Sequence, residues 1–434
     1  MPVRAGRIGI VASRGPAVPR VLNDAATWAG KTTPPHPTRN PARIHEYGAA
    51  RSYVFLSHAP AVQHARADGT LHVGIAARRL DAERRAAMRI AIISTPFIRV
   101  PPQGYGGTEL FCYELAEELH SRGHDVTVFT TGDSVVSCKK RSLYLRPEWP
   151  INPADEVNHA AWALGEVARG GFDVAHLNSP LGLPFSGFVR VPLVYTIHHP
   201  REEGVSRIFA THPTPHYVAI SKRQLDLEVP LARARVIHHG LSPGRYPPSL
   251  REEGYLTHIG RFAPEKGTHM ALDVARLAGL PIHIAGRTHP QDREYFETQI
   301  MPRMADPGVH VHGEADHERK VALLRGARAI VCPLQWEEPF GLIAIEAMLC
   351  GTPLIGFPRG AFPEIVDEGV TGFLVPDGDV EGLARATRDL ERFDRARCIK
   401  RARERFSRSV MTTAYEAVYR DAIATSSGPR MRVA

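Results

Sequence analysis

From Met88 onward, short apolar runs alternate with segments whose apolar residues recur at helical spacing. Residues 89–94 form a buried-strand pattern, and a loop separates them from Leu110, Leu115, Ala116 and Leu119, which share one face of a helix. Gly123 ends that helix, and a further apolar run follows at 125–130. A strand, a helix and a strand in this order predict a βαβ unit with parallel strands.

The alternation continues through the first half and restarts in the second. Strands are predicted at 172–177 and 191–199, and the second half begins with a strand at 255–259 and a helix at 268–278. Apolar runs then recur at 281–286, 309–314, 329–333 and 371–375. The repetition predicts an α/β protein of two doubly wound, Rossmann-like domains, which we place at 88–240 and 241–405.

The first 87 residues differ in composition from the rest. They are rich in Arg, Ala, Pro and Gly, and they hold 13 of the 54 Lys and Arg but only 5 of the 46 Asp and Glu. The remaining 41 basic and 41 acidic residues cancel, so the net charge of +8 does not indicate a nucleic-acid partner. We predict a disordered N-terminal extension over residues 1–87 and a flexible tail over 425–434.

Hydropathy and cysteine usage bear on the compartment. No run of 18 uninterrupted apolar residues occurs, so no membrane-spanning segment is expected. The five cysteines show no close pairing, which favours a reducing compartment over a disulfide framework. We therefore expect a cytoplasmic protein, and peripheral contact with a membrane stays open.

Two carboxylates, Glu338 and Glu346, flank a predicted helix start. Pro339 and Gly341 disfavour helix, whereas the residues from Leu342 favour it, so Glu338 is expected in a loop and Glu346 inside a helix. A helix N-terminus offers free N–H groups to a phosphate, and carboxylates accept hydrogen bonds from sugar hydroxyls. Because apolar runs lie on both sides of the helix, we interpret the pair as a sugar and phosphate site rather than as solvated surface glutamates.

Two glycine-bounded loops carry further candidates. Gly106 and Gly107 follow the first strand, where they let backbone N–H groups approach an anion, although a tight turn explains them equally well on this signal alone. Arg261 and Lys266 follow the first strand of the second half. These two cations suit a diphosphate, and the alternative is a solvent-facing charged turn.

Histidines end two predicted strands of the first half. The adjacent pairs His198-His199 and His238-His239 resemble metal ligands, but neighbouring strand residues point to opposite faces and no partner lies at ligand spacing, so we favour no metal. His198 is expected either to donate a hydrogen bond to a substrate hydroxyl or to be a structural histidine, and spacing alone does not separate the two.

From Met88 to about Ala424, the chain resembles the family 4 retaining glycosyltransferases of the GT-B fold, the glycosyl transferases group 1. The resemblance is carried, in the family's order, by PPQGYGGTE, GRFAPEKG, EPFGLIAIEAMLCGTPLIGF, GAFPEIV and TGFLVPDGD. It implies two Rossmann-like domains facing across a cleft, with a last helix at 406–424 that crosses back to the first. The chain departs from the pattern at His239-Gly240, where similar sequences usually carry Asn-Gly, and this leaves the local turn and any hinge role open.

The resemblance also implies a role for each candidate residue. It places Gly106 and Gly107 beside the donor diphosphate, His198 near the donor sugar, and Arg261 and Lys266 on the diphosphate. Glu338 would bind hydroxyls of the transferred sugar, Glu346 would hold the ribose, and the backbone of Phe340, Gly341 and Leu342 would complete the contacts. The candidate catalytic residues are therefore Glu338, His198, Lys266 and Arg261.

The implied reaction moves a sugar from a nucleotide-diphosphate sugar to an acceptor hydroxyl, with retention, by front-face attack. No cofactor, metal or enzyme nucleophile is expected, because fixed cations and helix dipoles can stabilise the leaving diphosphate. Two rivals stay open: a nucleotide-sugar epimerase of the same architecture, and a noncatalytic sugar-nucleotide binding protein. Residue types do not encode the base, the sugar or the acceptor, and we assign acceptor choice to loops near 95–105 and 132–160.

Overall fold

The computed structural model describes residues 87–426. The extension predicted over 1–87 therefore lies outside the described residues except for Ala87. The tail predicted over 425–434 also lies outside them, except that its first two residues complete a helix that ends at Ser426.

The first half of the described chain forms a seven-stranded parallel sheet. Its strands, in chain order, are β1 Arg89–Ile93, β2 Asp125–Phe129, β3 Lys139–Arg141, β4 Val174–Leu177, β5 Leu193–Ile197, β6 His216–Ala219 and β7 Ala234–Val236. Their order across the sheet is β3-β2-β1-β4-β5-β6-β7. The sequence did not predict β3, because all three of its residues are charged and exposed at the sheet edge.

The second half forms a six-stranded parallel sheet. Its strands are β8 Tyr255–Ile259, β9 Ile282–Ala285, β10 Val309–Val311, β11 Ala327–Cys332, β12 Leu354–Gly356 and β13 Gly372–Leu374, in the order β10-β9-β8-β11-β12-β13. Both sheets therefore reverse their strand order, between β1 and β4 in the first and between β8 and β11 in the second. This is the doubly wound α/β class that the sequence predicted.

Helices cover both faces of each sheet. The α-helices are α1 Gly107–Ser121, α2 Pro153–Gly170, α3 Glu203–Thr211, α4 Lys222–Leu227, α5 Thr268–Ala278, α6 Arg293–Tyr295, α7 His317–Gly326, α8 Leu342–Cys350, α9 Phe362–Ile365, α10 Val380–Asp389, α11 Arg395–Phe406 and α12 Arg408–Ser426. The longest 3₁₀ segment is Pro180–Phe188, after β4. Among the described residues, no helix combines the length and the apolar character that crossing a bilayer requires.

Burial on both faces explains why the central strands are continuous apolar runs. Ile90, Ala91 and Ile92 of β1 are all fully buried, because Ile90 and Ile92 face one helical layer and Ala91 faces the other. Strands of an antiparallel sheet with one wet face would alternate instead. Two apolar clusters, one on each face, form the core of each half.

The chain crosses between the two halves twice, at adjacent positions. The backbone N–H of Leu241 donates to Phe406 O at 2.9 Å, and the N–H of Arg408 donates to Leu241 O at 2.9 Å. After this crossing, α12 packs against the first sheet through a stripe that includes Met411, Tyr415 and Tyr419. The last helix thus belongs to the core of the first half, although it follows the second half in sequence.

Polar contacts also join the two halves. The carboxylate of Glu364 accepts the backbone N–H groups of Lys222 and Arg223, each at 2.7 Å, and lies 3.1 Å from His238 Nε2. The Arg223 guanidinium donates to Glu337 Oε2 at 2.8 Å. Because Glu337 precedes the candidate Glu338, these contacts position the candidate loop against the first half.

Candidate active site

Five of the candidate residues follow strands at which the strand order of a sheet reverses. Gly106 and Gly107 follow β1, and Arg261 and Lys266 follow β8. Glu338 follows β11. In doubly wound sheets the crevice at such a reversal, at the carboxyl ends of the strands, is the usual ligand site.

Lys266 and Glu338 meet although they are far apart in sequence. Lys266 Nζ lies 2.5 Å from Glu338 Oε2 and 4.6 Å from the centre of the Trp336 ring. A Cβ atom on Gly267 would lie 2.1 Å from Pro333 O, so only glycine lets the loop after β8 approach the end of β11 this closely. Lys266 and Glu338, which we expected to contact the diphosphate and the sugar of one donor, therefore lie in contact with each other.

Arg261 lies between two other carboxylates of the same half. Its guanidinium donates to Glu265 Oε1, and its Nη1 lies 3.6 Å from Asp292 Oδ2. Asp292 is buried, and its Oδ2 has no hydrogen-bond partner among the described residues. A ligand diphosphate at this point would compete with Glu265 for the guanidinium.

Two helix N-termini, one from each half, lie next to each other. A Cβ atom on Gly107, the first residue of α1, would lie 3.3 Å from Leu342 Cδ1, and Leu342 is the first residue of α8. Within the described chain no side chain caps either end, where Gly106 and Gly341 are the N-cap residues. Free N–H groups and partial positive charge thus converge from both halves, which is an arrangement suited to an anion.

The loop from Glu338 to Gly341 also contacts the first half. Ser221 Oγ donates to Pro339 O at 2.7 Å. The buried ring of Phe340 stands edge-on to His239, with centroids 5.0 Å apart and an interplanar angle of 78°. Phe340 is therefore part of the contact between the two halves, and its side chain is not available to a ligand.

Glu346 lies inside α8, as the sequence predicted, but it is paired. Its side chain is only 3% exposed, and its Oε1 accepts hydrogen bonds from Tyr246 Oη at 2.8 Å and Lys320 Nζ at 2.5 Å. Burial, followed by the charge of Glu346, raises the pKa of Tyr246 well above its usual value. A ribose at this position would therefore meet a carboxylate that is already held by a cation and a phenol.

His198 lies after β5, in contact with aromatic rings. Its Nε2 lies 2.9 Å from Asn178 Oδ1, and its ring is parallel to that of His239, with centroids 5.6 Å apart and an interplanar angle of 12°. Burial, followed by three neighbouring histidines, lowers the pKa of His198 well below its usual value. The imidazole is therefore neutral near pH 7, and its partners show that it is not a solvated surface residue.

Several residues of the site were not predicted from the sequence as site residues. Asn178, His239, Asp292, Lys320, Trp336 and Tyr246 all contact candidate residues or their neighbours. Only His239 carried a signal, because it replaces the asparagine that similar sequences usually have. Within the part of the chain that the structure describes, no three His, Cys, Asp or Glu side chains are placed to hold a metal ion together. Metal independence stays a prediction.

A cavity of about 490 Å³ in the second half lies away from these residues. It is lined by residues that include Pro281, Gly308 and Arg303, at the amino ends of β9 and β10. This is the opposite edge of the sheet from Lys266 and Glu338. Because the candidate site uses carboxyl ends of strands, this cavity is not part of it.

Two family models match the chain, one in each half. The model described as Glycosyltransferase Family 4 matches residues 105–245, and the model described as Glycosyl transferases group 1 matches residues 248–405. The candidate residues of both halves fall inside these ranges. The division of the chain between the two models coincides with the division between the two sheets.

Named relatives and solved structures are also similar to the chain. A glycogen synthase of Mycobacterium tuberculosis is 34% identical over 361 residues, covering 70% of this chain and 86% of the relative. A phosphatidyl-myo-inositol mannosyltransferase of Mycolicibacterium smegmatis is 26% identical over 389 residues, covering 80% and 96%. The structure of a sucrose-phosphate synthase from Thermosynechococcus elongatus superimposes with a TM-score of 0.65 at 22% identity, covering 77% of this chain and 99% of that one. This likeness identifies the two-domain architecture as the GT-B fold.

Proposed function

We propose that this chain, which belongs to the group 1 glycosyltransferases of family 4, transfers a sugar from a nucleoside diphosphate sugar to an acceptor hydroxyl. The transfer retains the anomeric configuration and uses no metal ion. The observation that carries the proposal is the convergence of Lys266 with Glu338 beside two helix N-termini. These groups come from both halves of the chain and meet at the strand-order reversals.

The leaving diphosphate requires positive potential that is already in place. Lys266 and Arg261 supply cations held in position by carboxylates of the same half, and the N-termini of α1 and α8 supply unpaired N–H groups. Charge develops on the diphosphate as the sugar–oxygen bond breaks, so groups held in position before reaction stabilise the transition state at little cost in reorganisation. This set supports departure of the diphosphate without a divalent cation.

The transferred sugar requires hydroxyl acceptors close to that cation. Glu338 has a 15% exposed side chain and is oriented by Lys266, so one carboxylate oxygen is held while the group still reaches solvent. Carboxylates accept hydrogen bonds from sugar hydroxyls, which supports a sugar on the Glu338 side of the diphosphate. Retention rests on the family resemblance, and in the proposed mechanism the acceptor attacks the face from which the diphosphate leaves.

Calorimetric titration of the full-length protein tests the donor. UDP, GDP and ADP, and sugar conjugates of each, are titrated into the wild type and into Glu338→Gln. We expect at least one diphosphate to bind, and its sugar conjugate to bind more weakly to Glu338→Gln than to the wild type. Absence of binding by every nucleotide would exclude the proposal.

Product analysis tests the reaction once a donor is known. Incubation with and without candidate acceptors, followed by nuclear magnetic resonance of the product, reports both transfer and anomeric configuration. A glycoside with the donor's configuration is expected only when an acceptor is present. An epimerised nucleotide sugar formed without acceptor, or a glycoside of inverted configuration, would contradict the proposal.

A further inference from the structure

We infer that Asn178 is a positioning residue which fixes the tautomer of His198, so that His198 Nδ1 accepts a hydrogen bond from a hydroxyl of the donor sugar. The inference rests on the proposed function for the identity of the ligand. The tautomer itself follows from contacts within the protein, and it can be measured without any ligand.

The orientation of the Asn178 amide is set by a second contact. Its Nδ2 donates to Ile93 O at 3.1 Å, which leaves Oδ1 facing His198 Nε2 at 2.9 Å. A carbonyl oxygen only accepts, so His198 Nε2 must carry the proton in this contact. Because Ile93 ends β1 and Asn178 follows β4, the amide is anchored at the strand-order reversal of the first sheet.

The other ring nitrogen is consequently an acceptor. Burial lowers the pKa of His198, so the ring is neutral, and a neutral ring with a proton on Nε2 has a lone pair on Nδ1. His198 Nδ1 is screened from solvent and has no hydrogen-bond partner among the described residues. An unmet buried acceptor is unfavourable, and a ligand that donates a hydrogen bond there relieves it.

The ring is held in place by two aromatic neighbours. His239 lies parallel to it, with centroids 5.6 Å apart, and Phe111 contacts both rings, at 4.9 Å from His198 and 5.1 Å from His239. His239 in turn meets Phe340 of the candidate donor loop. His198 is therefore one ring removed from the loop that carries Glu338, on the side of the first half.

The lone pair selects the chemistry of its partner. A sugar hydroxyl can donate to Nδ1, whereas the oxygens of an ionised diphosphate only accept and would be repelled. His198 thus contacts the sugar and does not act as a cation for the leaving group. Since Nδ1 is screened in the arrangement described, a hydroxyl reaches it only when a neighbouring group moves aside.

Nitrogen-15 nuclear magnetic resonance of histidine-labelled full-length protein tests the tautomer directly. The His198 signals are assigned by comparison with His198→Gln. Asn158→Leu is the control for replacing an asparagine elsewhere in the protein, because Asn158 donates to Tyr144 on the surface. We expect a protonated Nε2 and an unprotonated Nδ1 between about pH 7 and 8. An Nδ1–H tautomer, or an imidazolium in this range, would overturn the assignment. The tautomer is measured on the wild type, and His198→Asn serves for the assignment if His198→Gln fails to fold.

Two substitutions of Asn178 connect the tautomer to activity. Asn178→Leu removes the acceptor, and kcat/KM should fall about tenfold, as expected for one hydrogen bond. Asn178→Asp keeps an acceptor for Nε2 but loses the Nδ2 donor to Ile93 O, so it should restore kcat/KM only in part near pH 8. Its charge should also raise the His198 pKa, and kcat/KM should then decline as pH falls while the wild type stays flat. Equal kcat/KM in Asn178→Leu and wild type would overturn the role of Nδ1. Failure of all donors to bind, with the tautomer intact, would instead count against the proposed function.

Discussion

Replacing Lys266 with methionine removes one fixed cation while keeping a side chain of similar length. Its Nζ lies 2.5 Å from Glu338 and 4.6 Å from the Trp336 ring centre, so it is already placed before any donor binds. We expect kcat for sugar transfer to fall by about 10²- to 10³-fold, the usual effect of removing one preorganised group that stabilises a developing charge. In free energy this is about 2.7 to 4 kcal/mol of transition-state stabilisation.

The same substitution should affect folding much less. The side chains of Lys266 and Glu338 are 23% and 15% exposed, so this ion pair is intermediate in burial. Exposed ion pairs contribute up to about 1 kcal/mol to stability, and disruption of a buried pair costs about 3–5 kcal/mol. We expect a loss of about 1–2 kcal/mol in the free energy of unfolding. Domains of ordinary stability, about 5–15 kcal/mol, stay folded after such a loss. Reduced turnover would therefore reflect the site and not a smaller folded fraction.

The assay measures initial rates of transfer and chemical denaturation for the wild type, Lys266→Met and a matched control. Arg303→Met is the control, because Arg303 and Asp273 form an ion pair of comparable burial, with 31% and 27% exposed side chains, at the opposite edge of the second sheet. The control should lose similar stability and keep its turnover. Turnover of Lys266→Met within about threefold of wild type would show that Lys266 does not stabilise the leaving group.

Three further predictions address the loop, the metal and the buried histidines. A Cβ atom on Gly360 would lie 2.1 Å from Glu338 O, so Gly360→Ala should displace the loop and lower kcat/KM at least about tenfold. Gly254→Ala is the control, because Gly254 is also at positive φ but has open space around it, and its kcat/KM should not fall. Equal kcat/KM in the two variants would contradict this. Exhaustive chelation should leave the transfer rate unchanged, and a loss restored by Mg²⁺ would show a metal requirement. Burial lowers the pKa of His176 and His239 to about 3, so below about pH 6.5 the unfolded chain binds protons that the folded chain does not. Each should therefore remove about 1.4 kcal/mol of stability per pH unit as pH falls towards 4, and a flat profile of denaturation midpoints between pH 7 and 5 would contradict this.

Local patterns were sufficient to predict the elements that flank the site. The helix predicted to begin after Gly341 spans Leu342–Cys350, because Gly341 and Gly351 at its ends both adopt left-handed backbone conformations that stop a helix. The helix predicted at 268–278 has the same bounds in the structure, Thr268–Ala278. The short, charged strand β3 was missed, since nothing in its three residues distinguishes an edge strand from a loop.

Pairing within the site could not be predicted from the sequence. Lys320 and Tyr246, which belong to other elements, bury and hold Glu346, and nothing in the spacing of these residues indicates the contacts. The contact between Asn178 and His198 depends on the adjacency of β4 and β5, which the sequence suggests but whose hydrogen-bond geometry it does not determine. Residue types indicate which chemistry is possible, and tertiary contacts decide which atoms remain available for it.

A crystal structure of the full-length protein with its preferred nucleoside diphosphate would show directly whether these groups hold the donor. We expect the β-phosphate to lie within hydrogen-bond distance of Lys266 Nζ, between the N-termini of α1 and α8, with Glu338 facing the position of the sugar. A nucleotide bound elsewhere, for example in the cavity near Pro281 and Arg303, or bound with Lys266 still paired to Glu338 and remote from the phosphates, would contradict it.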